Sequence, residues 1–432
     1  MSAAPRHPRL VVETREIDPV DDLISFTDPN TPLAWLRRGD GIVGLGHQVT
    51  GIEFGGAHPL PEADPFPSLA EMWRSLCETA EVDDEVGLPG TGLVAFGALA
   101  FDRRSAASSR LIVPQTVIGR GRGRSWVTRI RSSAYDGPDP AIATVPYGPY
   151  WSATLGPGTL DPEGYQAAVR QGIAAIESGE VQKVVLARDL VGTIPAGSDI
   201  RRLARALSTE YPDTWTFAVD GLVGASPETL VTVSHGTVTA RVLAGTVPRG
   251  ADSDGDATAS FSLAHSAKDR DEHRFAVQSV LDALAPHVGA VTADAEPFTL
   301  ELPNLWHLAT DVEAELADHA TSLDLVAALH PTAAVAGTPT DAAIEAIRRI
   351  EPFDRRRYAG PVGWVGADGD GEWAIALRCA QIGADPTRGY AEFSDTIPVV
   401  AHAGAGIMAE SDPESELLET RVKFRPIVDA LA

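Results

Sequence analysis

The chain has 432 residues, and its 60 acidic against 35 basic side chains give a formal charge of -25 at pH 7. Its composition, 44% hydrophobic and 22% charged, is typical of a globular protein, and so negative a chain excludes nucleic acid as a partner because phosphate would be repelled. Two cysteines exclude a disulfide framework and a multi-cysteine metal site, and no apolar run approaches the ~18 residues of a membrane span, so we expect a cytoplasmic protein.

The predicted elements divide the chain into two parts. Residues 1–155 are rich in proline, glycine and short apolar runs, and we expect them to contribute to the same α/β body as the rest. The arginine-glycine alternation at 119–124 resembles an RNA-binding tract, but the negative charge of the chain favours a solvated hairpin. A segment rich in proline, glycine and aromatic residues, 146–157, connects to the predicted catalytic region, 156–432.

Helices and strands are easier to assign in the second part. Asp161, followed by a proline, predicts a helix start, and Gly179 predicts its end. The strand at 182–191 alternates so that Lys183 shares one face with Val185. The further predicted elements are a helix at 200–211, a strand meander at 214–247, a helix at 266–285, strands near 305–313, 360–365, 373–380 and 390–393, and a last helix after Asp412. The helix at 266–285 is expected to turn five residues inward: Phe275, Ala276, Val280, Leu281 and Leu284.

The ratio of strands to helices predicts the fold class. Strand segments outnumber the intervening helices, which argues against a simple βαβ repeat. We therefore predict an α+β protein, with large antiparallel or mixed β-sheets packed as a sandwich and helices outside.

Lysine is rare in this chain. It occurs only at Lys183, Lys268 and Lys423, and the other 32 basic residues are arginine. A guanidinium keeps its proton throughout the usable pH range, whereas a buried ammonium can lose one. The three lysines are therefore candidates for chemistry that arginine cannot perform.

The last helix carries Glu416, Glu419 and Lys423 at spacings of three and four residues, so all three project from one face. Two carboxylates one turn apart can share a hard cation, and a lysine one turn further can hold an anion beside it. The alternative is a solvated salt-bridge face. The preceding glycine-rich stretch, 403–407, favours a ligand site because it lets a ligand approach the backbone closely. Glu272, near the start of an earlier helix, is either a third metal ligand or a complement to the helix dipole.

Three more residues are candidates for binding and catalysis. Strand alternation predicts that Arg378 lies among alanines, in a concavity suited to a carboxylate, although an ion pair with a neighbouring strand is the alternative. Lys183 has apolar neighbours that disfavour an ammonium, and burial at a strand junction would raise the pKa of Glu228. The two would then be suited to opposite roles as base and acid, and the alternative is that each is a surface charge at a strand end.

These segments resemble the chorismate-binding enzymes, a family that includes anthranilate, aminodeoxychorismate, isochorismate and salicylate synthases. The resemblance covers roughly residues 160–425, with a looser match at Phe96-Gly-Ala-Leu-Ala-Phe-Asp102. Its motifs are Gln182-Lys-Val-Val-Leu-Ala-Arg188, Ala225-Ser-Pro-Glu-Thr-Leu230, Leu243-Ala-Gly-Thr246, Ser266-Ala-Lys-Asp-Arg-Asp-Glu-His273, Leu305-Trp-His-Leu-Ala-Thr310, His330-Pro-Thr332, Ile375-Ala-Leu-Arg-Cys379, Ala403-Gly-Ala-Gly-Ile407 and Glu416 to Lys423. The resemblance implies the fold of anthranilate synthase component I.

The resemblance also implies an activity. Lys183 matches the lysine that activates water in isochorismate and salicylate synthases, and Ala244 stands where aminodeoxychorismate synthases place a covalently acting lysine. The segments around His307 and His330 look like the isochorismate branch. The implied reaction is the reversible conversion of chorismate to isochorismate, with Lys183 as the base toward water and Glu228 as the acid. The alternatives are a salicylate synthase, which adds pyruvate elimination, and a chorismate-binding protein without turnover.

The resemblance implies the remaining site residues as well. Mg2+ would be held by Glu272 and Glu419, with Glu416 as a direct or water-mediated ligand. Arg378 and Lys423 would bind the substrate carboxylates, and backbone at Gly245, Thr246, Ala334 and Gly404 would line the pocket. His307 would lie near the reacting centre, or would be a neutral histidine that satisfies buried backbone. We expect a monomer whose product feeds menaquinone or siderophore synthesis.

Overall fold

The computed structural model describes residues 9–55, 65–133, 137, 139–250, 252–294, 296–301, 305–383 and 395–432, with the backbone alone for 65–68 and 268. The side chain of Lys268 and the strand predicted near 390–393 therefore lie outside the described residues. The strands are β1 (Leu10–Ile17), β2 (Leu33–Arg37), β3 (Asp40–Gly55), β4 (Glu81–Asp84), β5 (Val94–Ala98), β6 (Ser108–Gly121), β7 (Arg124–Ser132), β8 (Gly156–Pro157), β9 (Lys183–Pro195), β10 (Trp215–Val219), β11 (Leu222–Ser226), β12 (Thr229–Ser234), β13 (Thr237–Pro248), β14 (Val288–Ala293), β15 (Phe298–Glu301), β16 (Leu305–Leu316), β17 (Gly337–Thr338), β18 (Pro361–Gly366), β19 (Gly371–Ile375), β20 (Cys379–Ile382) and β21 (Thr396–Ile407). The helices are α1 (Pro65–Cys77), α2 (Pro162–Glu177), α3 (Arg201–Glu210), α4 (Ser253–His265), α5 (Ala267–Leu284), α6 (Ser322–Leu329), α7 (Thr340–Ile350) and α8 (Pro413–Leu431), with a short 3-10 helix at Leu23–Phe26.

Strand pairing forms two large layers that share β6. Sheet I runs β4-β1-β7-β6-β3-β2-β10-β11-β20-β21-β9, with β8 and β17 beside β9. Sheet II runs β6-β5-β18-β19-β12-β13-β16, with β14 and β15 beside β16. Every pair among the described strands is antiparallel except β1 with β4. The α+β sandwich expected from the sequence is therefore confirmed.

One part of the core lies between the two sheets, and the rest lies between the sheets and the helices that cover them. Trp35 of sheet I and Trp364 of sheet II are both buried between the sheets. The Trp35 indole Nε1 donates a hydrogen bond of 2.8 Å to Oε2 of Glu372, across the interface. Helices cover the outer faces: α2, α7 and α8 pack on β9 and β21 of sheet I, and α5 and α6 pack on β13 and β12 of sheet II. None of the described helices has the length and apolarity needed to cross a membrane.

The helix starts predicted from N-caps are confirmed. The side chain of Asp161 accepts a hydrogen bond from Gly164 N, and that of Asp412 accepts one from Ser415 N. The hairpin predicted at 119–124 is also present, because β6 and β7 pair across it. The sequence did not predict α1, α4, α6 or α7.

One prediction of side-chain direction and one of strand extent were wrong. Phe275 is 40% exposed, whereas Ala276, Val280 and Leu284 are buried. The buried stripe of α5 runs through residues spaced three or four apart, and Phe275 lies one position, or about 100°, from it. The single strand predicted at 373–380 is two strands, β19 and β20, because Arg378 has a φ of 50° and interrupts the extended backbone.

Candidate active site

The chain crosses between the two sheets at two adjacent points, and both crossings border one cavity. The first leads from β11 in sheet I to β12 in sheet II and carries Glu228. The second leads from β19 in sheet II to β20 in sheet I and carries Arg378. The crossings are bonded to each other, since Ala225 N donates to Arg378 O and Ile375 N donates to Glu228 O, both at 3.1 Å.

The cavity has a volume of about 920 Å3, including the space at its open mouth. Ten of the twelve predicted site residues line it: Glu228, Thr246, Glu272, His307, Ala334, Arg378, Gly404, Glu416, Glu419 and Lys423. Gly245 is not part of the lining, although its neighbours Ala244 and Thr246 are. Lys183 is not part of it either, but contacts the lining residue Glu272.

Lys183 begins β9 and is 3% exposed. Its Nζ lies 2.8 Å from Oε1 of Glu272, which α5 contributes. The neighbouring strand β21 has glycine at position 406, where a Cβ atom would lie 2.8 Å from that Oε1 and 3.0 Å from Lys183 Cε. The glycine therefore leaves the space that this ion pair occupies.

Glu228 is 6% exposed. Burial raises its pKa to about 7, and the positive charges of Lys183, Arg378 and Lys423 oppose that increase. Its backbone is held by Ser226, whose Oγ accepts from Glu228 N at 3.2 Å and donates to Ile375 O at 2.6 Å. A carboxyl group with this pKa carries a proton about half of the time at neutral pH, which suits a general acid.

Helix α8 presents three charged side chains to the cavity. Lys423 Nζ lies 2.5 Å from Oε1 of Glu419 and donates to Gly404 O at 2.9 Å. Glu416 accepts a hydrogen bond of 2.6 Å from Ser411 Oγ. The predicted one-face arrangement of Glu416, Glu419 and Lys423 thus faces the cavity rather than open solvent.

Arg188 fixes α8 against sheet I. It lies on the face of β9 opposite Lys183, is 4% exposed, and its Nε donates to Thr420 Oγ1 at 2.8 Å. Its guanidinium carbon lies 5.0 Å from the ring centroid of Phe424. Thr420 follows Glu419 directly, so this contact sets the position of the helix turn that faces the cavity.

Arg378 lines the cavity, and its guanidinium is not paired with any of the described residues. It is 8% exposed, and burial lowers the pKa of its guanidinium. Within the described parts of the chain, its guanidinium makes no hydrogen bond and no ion pair of 4.0 Å or less. The ion pair with a neighbouring strand that the sequence left open is therefore absent among these residues. A buried guanidinium with free donors is suited to bind a carboxylate.

His307 is held as a neutral imidazole. A bulge in β13 between Leu243 and Thr246, with Gly245 at a φ of 83°, brings Thr246 opposite His307 of β16. Thr246 Oγ1 lies 2.9 Å from His307 Nδ1, and burial places the pKa of His307 well below its ordinary value. Nε2 is buried and has no hydrogen-bond partner among the described residues. That nitrogen is available to a ligand.

The donor chemistry of the cavity fits a hard cation. Five carboxyl groups line it, Glu228, Asp269, Glu272, Glu416 and Glu419, and oxygen-only donors are the set that Mg2+ prefers. No three of the described His, Cys, Asp or Glu side chains are grouped closely enough to chelate an ion as they stand. In this arrangement Glu272 and Glu419 contact lysines instead.

Comparison with known proteins shows which family this chain belongs to. Residues 151–432 match the family model described as chorismate binding enzyme. The chain belongs to the chorismate-binding enzyme family. It is 36% identical to isochorismate synthase DhbC of Bacillus subtilis (strain 168) over 384 residues, which are 86% of this chain and 88% of that protein.

Two solved structures share the fold of this chain. A crystal structure titled as the putative 2,3-dihydroxybenzoate-specific isochorismate synthase DhbC of Bacillus anthracis matches 95% of this chain and 98% of its own, with a TM-score of 0.75 at 30% identity. Anthranilate synthase component I from Streptococcus pneumoniae TIGR4 matches 90% of this chain and 92% of its own, with a TM-score of 0.67 at 19% identity. The anthranilate synthase structure confirms the predicted fold type. At 19% identity it supports no conclusion beyond the fold.

Sequence analysis did not single out two charged residues that line the cavity of this chorismate-binding enzyme. Asp269 lies in the first turn of α5, three residues before Glu272, and its motif gave a sufficient signal. Arg355 begins a run of three arginines, and the sequence does not show which of the three is buried toward the cavity. Only the packing of the segment after α7 distinguishes Arg355.

Proposed function

We propose that this chain is an isochorismate synthase, which converts chorismate to isochorismate in a reversible reaction. The observation that carries the proposal is that one cavity brings together two buried groups: Glu228, a lining carboxyl group of raised pKa, and Lys183, which contacts the lining residue Glu272. The similarity to isochorismate synthase DhbC over most of both chains supports it.

In the proposed mechanism Lys183 removes a proton from water, whose oxygen forms a bond to C2 of the chorismate ring. The ring double bond migrates, the C4–oxygen bond breaks, and Glu228 gives its proton to the departing hydroxyl, which leaves as water. The reverse reaction exchanges the two roles, so each group must be able to hold and release a proton. A pKa near 7 satisfies this requirement for Glu228.

We propose that Arg378 and Lys423 bind the two carboxylates of chorismate. The free guanidinium donors of Arg378 and the ammonium of Lys423 both face the cavity. Thr246, Ala334 and Gly404 line the space for the ring, with Gly245 shaping the bulge behind it, and His307 Nε2 is free for a ring substituent.

We propose Mg2+ as the cofactor, held by Glu272 and Glu419, with Glu416 as a direct or water-mediated ligand. Chorismate adds two carboxylates to a cavity already lined by five carboxyl groups and three basic side chains, Arg355, Arg378 and Lys423. A divalent cation would offset this excess of negative charge and orient the ring carboxylate. We further expect a cytoplasmic, monomeric enzyme, and the genes next to its own would indicate menaquinone or siderophore synthesis.

The direct test is incubation of the purified protein with chorismate and Mg2+, followed by chromatographic separation of the products. We expect isochorismate alone. Salicylate with pyruvate would instead identify a salicylate synthase, and the absence of any product would identify a binding protein.

The matched variants are Lys183→Ala and Lys183→Arg. Both should lower kcat by at least about 100-fold, because general-base catalysis contributes roughly 10²–10⁴-fold and arginine cannot act as a base. Circular dichroism should show an unchanged fold. Full activity in either variant would contradict the role of Lys183.

A further inference from the structure

A buried ion pair borders the cavity, and no proton-transfer or substrate-binding step of the mechanism above uses it. Glu351 and Arg355 have side-chain exposures of 1% and 2%. Arg355 Nε lies 2.9 Å from Glu351 Oε2, and Nη2 lies 2.6 Å from Oε1, so the contact is bidentate. A buried pair of this kind contributes little net stability relative to apolar side chains. Stability therefore does not explain the pair, and its contacts indicate another role.

The pair completes the backbone hydrogen bonding of β9 next to Lys183. On one edge β9 pairs continuously with β21, but on the other edge β17 reaches only Lys183 and Val184. Just beyond that point Val185 O accepts from Arg355 Nη2 at 2.7 Å, and Ala187 N donates to Glu351 Oε1 at 2.8 Å. Two side chains thus replace a strand partner within four residues of Lys183.

Arg355 also joins β9 to two other segments at the cavity. Its Nη1 donates to Val335 O at 2.9 Å, and Val335 and the adjacent Ala334 line the cavity. Its guanidinium carbon lies 4.5 Å from the ring centroid of Phe101, in the N-terminal part of the chain. Phe101 O accepts in turn from His330 Nε2 at 2.9 Å. One side chain therefore connects the strand of Lys183, the loop of Ala334 and the N-terminal part.

We propose that Arg355, together with Glu351, is a positioning residue that holds the Lys183 segment of β9 and the Ala334 loop in register at the cavity. The proposal rests on the proposed function, because its consequence for turnover depends on Lys183 acting there. Four of the five N–H donors of Arg355 are used on Glu351, Val185 and Val335. Arg355 therefore acts through β9 and the loop, in contrast to Arg378, whose donors are free.

The test is the double variant Glu351→Leu/Arg355→Met, measured with the full chain. Removing both charges avoids an unpaired buried charge, but Val185 O, Ala187 N and Val335 O lose their partners, so the thermal midpoint should fall moderately and kcat is measured well below it. The partners of Val185 O and Ala187 N are lost, so kcat should fall by about 10- to 100-fold with little change in KM. An unchanged kcat, or a raised KM with kcat intact, would overturn the proposal.

Two further variants separate positioning from charge and from stability. Arg355→Lys keeps the charge opposite Glu351, but one ammonium cannot serve Glu351, Val185 and Val335 together, so kcat should fall in this variant as well, and full kcat would count against the proposal. Arg348→Met removes a half-buried bidentate contact to Asp102, next to Phe101, and should leave kcat unchanged.

Amide hydrogen exchange at Ala187 tests the positioning without using turnover. The Ala187 N–H should exchange faster in the double variant than in the wild type and the Arg348→Met control, and equal rates would overturn the proposal. Turnover of chorismate by the wild type is measured first. A failure of the proposed function appears in that first measurement, and a failure of the positioning proposal appears in the exchange rates.

Discussion

Glu228 lies where the chain passes from one sheet to the other, and this burial raises its pKa to about 7. In the proposed mechanism only the protonated form can supply the departing hydroxyl, and this form is lost as pH rises through the pKa. We therefore predict that kcat/KM for chorismate falls as pH increases above about 7. The burial of His307 places its pKa well below the ordinary value, so His307 does not titrate in this range.

The measurement is a pH profile of kcat/KM in the direction from chorismate to isochorismate, with Glu228→Gln as the comparison. The variant should lose most turnover, and any residual activity should lack the falling limb. A wild-type profile that stays level above neutral pH would contradict the assignment of Glu228 as the acid.

Two glycines of β21 provide a second residue-scale prediction. At Gly406 a Cβ would meet the side chains of Glu272 and Lys183, whereas at Gly404 it would lie 2.6 Å from the backbone oxygen of Leu186. Gly406→Ala should therefore displace the Lys183–Glu272 pair and lower kcat by about tenfold or more, with a small change in thermal midpoint.

The matched change Gly404→Ala forces two paired strands apart. It should lower the free energy of unfolding by about 1–3 kcal/mol, measured by denaturant titration. If both variants lost the same stability, and Gly406→Ala kept its full kcat, the importance of the space at position 406 would be refuted.

Helix α8 shows what one element contributes. Its start is fixed by Asp412 and its middle by the hydrogen bond from Arg188 to Thr420. We predict that Glu419→Ala raises the Mg2+ concentration needed for half-maximal activity by at least about tenfold, as loss of a contributing ligand does. The control is Glu414→Ala, an exposed carboxylate in the first turn of the same helix.

Titration of activity with Mg2+ and calorimetry of Mg2+ binding should agree on this shift. An equal shift in Glu414→Ala would indicate a general effect of helix charge, and no shift in Glu419→Ala would exclude Glu419 from the ligand set.

Elements with a local signal could be predicted from the sequence, and those set by tertiary contacts could not. An N-cap aspartate followed by proline defined the starts of α2 and α8 because capping uses only neighbouring residues. The break between β19 and β20 depends on Arg378 adopting a left-handed conformation at the crossing between sheets, which alternation cannot reveal. Phe275 stands beside the apolar stripe of α5 and was counted with it, although its side chain is 40% exposed.

At the scale of the whole molecule, the N-terminal part is built into both sheets. β2 pairs with β10, and β5 pairs with β18. Trp35 and Phe96 of these two N-terminal strands are fully buried. We therefore predict that a fragment of residues 151–432, which is the extent of the family match, does not fold alone, because it would expose this core to water.

Near-ultraviolet circular dichroism and thermal unfolding would check this. The fragment should lack a cooperative transition that the full chain shows. A cooperative transition in the fragment would instead support an independently folding catalytic region that begins near residue 151.

The sequence also indicated more of the site than of its surroundings. A motif can be recognised without knowing where its residues lie in the fold, and ten of the twelve residues predicted in this way line one cavity. Arg355 escaped notice because three successive arginines look alike until the fold places one of them at the cavity. The Glu351–Arg355 pair also belongs to no periodic element, since it lies after the end of α7.

The two crossings place Glu228 and Arg378 on short links that run from one layer to the other at the cavity, while Lys183 is held within one layer by its pairing with β21. A slight shear of the layers against each other, too small to break any ladder, would change the distance between the proposed proton donor and proton acceptor. Heat or pressure that loosens the tryptophan-rich packing between the two sheets should therefore abolish turnover while the strands are still paired.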